Sequence, residues 1–121
     1  MRYVTTLTVT TQPDTPPPAA LMDAIAALGA EATRSGALVD VAGLLPVAAG
    51  GSRVTSTGGT LTVTDGPFAE AKEIVSYAVY DVRSLDEAVE WATRFMRAHQ
   101  DHWAGWEGTT SVQQVFEPPS G

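Results

Sequence analysis

The sequence contains no cysteine. That excludes disulfides, zinc–thiolate centres, iron–sulfur clusters and cysteine nucleophiles. Basic residues are scarce too: seven Lys and Arg stand against 14 Asp and Glu, for a net charge of −7, and they form no basic run. An acidic surface repels phosphate backbones and anionic membranes, so neither nucleic acid nor a membrane is an expected partner. No stretch approaches the ~20 apolar residues that cross a bilayer. The opening residues, Met1-Arg2-Tyr3-Val4-Thr5, lack the apolar run of a secretory signal. By elimination, the expected location is cytoplasmic. There is no Gly-x-x-x-x-Gly-Lys-Ser/Thr loop, no Gly-x-Ser-x-Gly elbow and no dinucleotide fingerprint, so no cofactor is expected.

What is present reads as one globular unit. Apolar residues make up 44% of 121, enough for a single core and against disorder. Residues 3–10 alternate Tyr3, Thr5, Leu7 and Val9 against Val4, Thr6, Thr8 and Thr10, the period of a strand. Pro16-Pro17-Pro18 then form a stiff lead-in to a helix over 19–35, with Leu21, Ile25, Leu28 and Ala32 on one face and Gly36 as its stop. Residues 37–45 read as a strand ending at Pro46. Residues 53–57 and 60–64 flank Gly58-Gly59, the signal of a tight hairpin, because both central turn residues need positive φ. A strand over 74–82 follows. Ser84 with Glu87 forms a capping box opening a second helix, whose inner face is expected to carry Leu85, Ala88, Val89, Ala92, Phe95 and Met96. Glu90 and Arg94 can pair one turn apart on its outside. Residues 103–110 look irregular and 111–116 form a last strand.

This order is α+β. It matches a ferredoxin-like split βαβ with a β-hairpin insertion, both helices lying on one sheet face. The expected domain is 1–117, with 118–121 a frayed tail. Two helices cover one sheet face, and no third helix exists for the other. A second copy packed sheet against sheet is the economical cover, so a homodimer is expected.

The stretch Thr64-Asp65-Gly66-Pro67-Phe68-Ala69-Glu70-Ala71-Lys72-Glu73 resembles the signature of the DGPF-motif group of the YCII-related family. Gly43-Leu44-Leu45-Pro46 is similar to that family's strand ending. Ser84-Leu85-Asp86-Glu87-Ala88-Val89-Glu90-Trp91-Ala92 resembles its second helix. The resemblance implies a dimeric α/β barrel, in which two ferredoxin-like units pack their sheets together. It implies no general reaction. Members are often encoded near extracytoplasmic-function sigma factors, and some lyase-like relatives are proposed to use a His–Asp pair. This chain departs there: its histidines, His99 and His102, fall near the end of the second helix and none falls on the first.

The residues that carry chemistry each have two readings. Asp65 either bonds the amides of a turn, with Gly66 and Pro67 setting the backbone and Phe68 anchoring it, or acts as a general base at a cleft rim. Lys72 belongs to a solvated charged turn, or orients an anionic ligand group as a point charge. Thr6, Thr8, Phe68, Tyr77 and Tyr80 are candidate ligand contacts in a dimer cleft, or core and interface filling. Tyr77 and Tyr80 lie on opposite strand faces, so one packs beneath the helices. His99 and His102 have the spacing of a helical metal pair but no visible third ligand, so no metal site is expected. Trp103 and Trp106 suggest a packed edge or a dimer contact. Two functions follow as expectations. One is a cofactor-free enzyme, lyase-, isomerase- or cyclase-like, on a small organic molecule in the dimer cleft. The other is a non-catalytic ligand-binding or regulatory accessory protein.

Overall fold

The computed structural model describes residues 1–46, 49–65 and 73–118. The β-branched alternation at the N-terminus forms β1 (Arg2–Thr11). After the prolines comes α1 (Ala19–Arg34), with Pro18 at its N-cap and its carbonyl accepting from the Leu21 and Met22 amides. Gly36, at φ 81°, closes this helix as expected. The Gly36 amide donates to Thr33 and the Ala37 amide to Ala32, the paired bonds of a Schellman ending. β2 (Leu38–Gly43) leads to a hairpin of β3 (Ser52–Thr57) and β4 (Thr60–Asp65), turned on Gly58 and Gly59, both at positive φ. β5 (Ile74–Asp81) and α2 (Leu85–His102) follow. The Ser84 hydroxyl accepts from the Glu87 amide, and the Glu87 carboxylate accepts from the Arg83 amide. β6 (Glu107–Gln114) completes the chain.

The last strand begins earlier than its sequence suggests. Residues 107–110 look irregular, yet they pair with β1, Thr109 opposite Thr8 and Thr110 opposite Leu7. The length of β1 supplies backbone partners that these residues' own propensity does not reveal.

Four strands form one antiparallel sheet in the order β2-β5-β1-β6, the ferredoxin-like arrangement, and β3 and β4 form a separate two-stranded sheet. The register places Tyr3, Thr5 and Leu7 opposite Tyr80, Ala78 and Ser76, on the face beneath the helices. Tyr3, Ala37, Ala78, Tyr80, Val82 and Ala88 make the core, with Leu38, Trp91 and Val112 packed against it. Trp91 stacks on Tyr80.

The inner stripe of α2 is Ala88, Ala92, Phe95 and His99, while Leu85 and Val89 are exposed. The short Ala88 and Ala92 side chains set this stripe, because they let the helix approach the sheet. Arg94 does not bond Glu90 as the helix spacing suggests. It hydrogen-bonds Glu31 across the helix pair and lies over the Trp91 ring, and this bond holds the Glu31 carboxyl below its ordinary range. No helix among the described residues is long and apolar enough to cross a membrane.

Candidate functional site

The helices do not seal the sheet. A cavity of about 550 Å³ lies between α1, α2 and the helix-side face. Two of the four apolar residues on the α1 inner face, Leu21 and Ala32, are 1% and 2% exposed. The two between them, Ile25 and Leu28, are half-buried and form cavity wall. Gly29 stands beside them in mid-helix, and a Cβ built there meets no atom within 4 Å. A helix-interior glycine costs roughly 0.5–1 kcal/mol against alanine. Here that cost accompanies open space in the wall of a cavity.

The lining is largely apolar, but several polar groups face the same space. Thr5, Ser76, Tyr80, His99 and Thr110 contribute to it. The Thr110 hydroxyl donates to the Thr6 carbonyl. Among the described residues, the hydroxyls of Thr5 and Ser76 have no hydrogen-bond partner, and neither is sealed from solvent as a fully buried unpaired atom. Thr5 lies opposite Ala78 and Ser76 opposite Leu7, so the two hydroxyls are diagonal neighbours across the β1–β5 pair, roughly 7–8 Å apart at Cα. Burial raises the Tyr80 phenol pKa and keeps it protonated.

His99 is 6% exposed. Its Nδ1 lies 2.9 Å from the Phe95 carbonyl, which can only accept, so Nδ1 carries the hydrogen and Nε2 of the neutral ring carries the lone pair. The Phe95 ring meets the imidazole edge-on at 4.7 Å and Trp106 lies 4.3 Å away, tilted against it. Gly108 permits this wall, because a Cβ there would come 2.6 Å from the Trp106 ring. Trp103 is also buried, its indole N–H donating to Thr15. The two tryptophans thus pack an edge within the chain.

The sheet face away from the helices carries a second group. Thr6 lies opposite Tyr77 and Ser111, and Val4 opposite Val79. A bulge at Val39 turns Asp40 to this face, where its carboxylate accepts from the Tyr77 hydroxyl at 3.1 Å. That bond and the nearby charge raise the Tyr77 pKa.

The sequence candidates therefore separate. Tyr77, Thr6 and Thr8 belong to the face free of helices, although Tyr77 also borders the cavity, and Tyr80 lies beneath the helices at the cavity. Asp65 ends β4, exposed and paired in register with Ser52, and is not part of the cavity lining. Phe68 and Lys72 lie outside the described residues, as do the other signature positions from Gly66 to Ala71. His99 and His102 part company: His99 is buried at the cavity, and exposed His102 borders a groove between the outer faces of α1 and α2. No group of three His, Asp or Glu side chains among the described residues converges on one point. Sequence reasoning did not single out Thr5, Ser76 and Gly29, which line the cavity. For Gly29 a signal existed, a glycine within a strongly helical stretch.

Comparison with known proteins gives two matches. The profile of the YCII-related domain matches residues 1–107. An uncharacterized protein of Rhizobium meliloti (strain 1021) is 36% identical over 80 residues, covering 65% of this chain. The matched stretch spans 64% of that relative's length, less than two thirds of it.

Proposed function

The chain belongs to the YCII-related family, and we propose that it holds a small, largely apolar organic molecule between its helices and its sheet and moves a proton on it without a cofactor, in lyase-, isomerase- or cyclase-like chemistry. One observation carries this reading. An apolar cavity of about 550 Å³ has hydroxyls of Thr5 and Ser76 on its wall without partners among the described residues. Cavities of this size, mostly apolar with a few convergent polar groups, are the usual form of a small-molecule site. A role as a binder without turnover is favoured by one feature, the absence of Asp65 from the cavity wall. We propose further that the protein is a homodimer. The exposed side of the four-stranded sheet, with Val4 and Val79 at its centre, is the surface that a second copy would cover.

Gly29 supplies the test. Gly29→Phe fills open space from the helix side, and Gly29→Ala is the control. With the uncharged dye Nile red as probe, Gly29→Phe is expected to weaken binding by about tenfold or more. Gly29→Ala is expected to bind as the parent does and to be more stable by about 0.5–1 kcal/mol. Dye binding unchanged in a folded Gly29→Phe protein would remove the cavity as the site.

A further inference from the structure

The cavity lining contains no Arg, Lys, Asp or Glu among the described residues. A carboxylate or ammonium group placed there would lose its hydration without gaining a countercharge, a cost of several kcal/mol. The ligand that fits is uncharged. The lining does contain one side chain whose ordinary pKa suits proton transfer near neutrality, His99. Its ring is held from three sides. Nδ1 is committed to the Phe95 carbonyl, the Phe95 ring stands against its edge, and Trp106 lies across it. Nε2 has no partner among the described residues. A fixed imidazole with one nitrogen anchored and the other free is the arrangement a general base requires.

Resting on the cavity reading above, we propose that His99 is its proton-transfer residue, acting through Nε2 on an uncharged carbonyl compound with an acidic C–H beside the carbonyl. The hydroxyls of Thr5 and Ser76 hydrogen-bond the carbonyl oxygen. In the step, the C–H bond breaks and the proton moves to Nε2. The C–H electron pair becomes the carbon–carbon double bond of an enolate. The carbonyl π pair moves onto oxygen, where the two hydroxyls meet the developing charge. Replacement of the proton on Nε2 by a solvent deuteron before delivery to the same carbon gives exchange, and delivery of the proton to a conjugated carbon gives isomerisation. The step balances without oxidant, reductant or metal. Both hydroxyls and the imidazole act on one small molecule, so the ligand is compact.

The test uses the uncharged ketone β-tetralone in heavy water, with loss of its C–H signal followed by proton NMR. The parent protein is expected to accelerate exchange above buffer. His99→Gln keeps a polar side chain but no base, and it is expected to lose that acceleration on the order of a hundredfold while still binding Nile red. The folded parent provides a second measurement that needs no variant. Long-range nitrogen NMR is expected to show His99 with hydrogen on Nδ1 and an Nε2 resonance that moves when ketone is added. Exchange by His99→Gln at the parent rate overturns the proposal, as does an Nε2 resonance indifferent to ketone. Nile red binding without catalysed exchange overturns it but leaves the cavity reading standing. Absence of binding by both probes overturns the two together.

Discussion

β1 sets Tyr3, Thr5 and Leu7 on one face and Val4, Thr6 and Thr8 on the other. The hairpin is built with the same alternation. Its register puts Val54 opposite Val63 and Ser56 opposite Leu61 on one side, and Arg53, Thr55, Thr62 and Thr64 on the other. Tyr3, Thr5 and Leu7 are buried. Leu61 is 72% exposed, and Val54 and Val63 are similarly open. Alternation creates a face in both places, but it does not supply what lies against that face. In the four-stranded sheet, crossover helices fold back onto one side. The hairpin is joined by two glycines, and among the described residues every position of β3 and β4 is exposed. An isolated two-stranded hairpin is only marginally stable in water. The contrast shows that an apolar stripe is an offer of burial, and that the elements packed against it decide whether it is taken up.

The largest test of this contrast removes a side chain from each region. Leu21→Ala empties a position that is 1% exposed and is expected to cost about 2–5 kcal/mol in urea unfolding followed by circular dichroism. Leu61→Ala is expected to stay within about 0.5 kcal/mol of the parent. Equal losses would mean that the hairpin face is covered in solution.

A middle-sized effect separates the two faces of the main sheet. Val79→Lys places a charge on the side away from the helices, beside Asp40 in register. Monomer stability is expected to change by less than about 1 kcal/mol. If two sheets pack together, sedimentation should move from about twice the 12.7 kDa chain mass to that mass itself. A Val79→Lys protein that still sediments as a dimer would shift the interface elsewhere.

The smallest effect is electrostatic. The Tyr77 phenol is held above its ordinary range, first by its hydrogen bond to Asp40 and then by that carboxylate's charge. Asp40→Asn is expected to lower its titration toward the usual tyrosine value of about 10, read by phenolate absorbance. Tyr80 is raised by burial alone and should not move. The sign follows from linkage. A phenol whose folded pKa is raised contributes stability that is complete below the unfolded pKa and is lost as pH climbs through the folded one. The parent should therefore lose slightly more stability than Asp40→Asn on going from neutral to strongly alkaline pH. Identical alkaline titrations would show that the Tyr77–Asp40 bond does not persist in solution.

The fold was legible because its signals are local. Proline, Gly36, Gly58-Gly59 and the Ser84 cap mark boundaries by backbone geometry and hydrogen bonding within a few residues. Alternation and helical spacing then assign faces. Non-local effects escaped that reading. The early start of β6 depends on backbone partners in β1, about a hundred residues away. Asp40 meets Tyr77 only because one extra residue at Val39 reverses which side the following positions face. Arg94 finds Glu31 across a helix pair whose spacing no single helix encodes.

By itself, then, the sequence determined element order, the alternation that gives each strand two faces, and the family, since these rest on short-range steric rules and contiguous motifs. The tertiary structure alone decided where the cavity lies and which groups line it. A cavity is the space left when distant surfaces fail to meet. It is set by the sizes of Gly29, Ala32, Ala78 and Ala92 acting together, and by the angle at which helix and sheet approach.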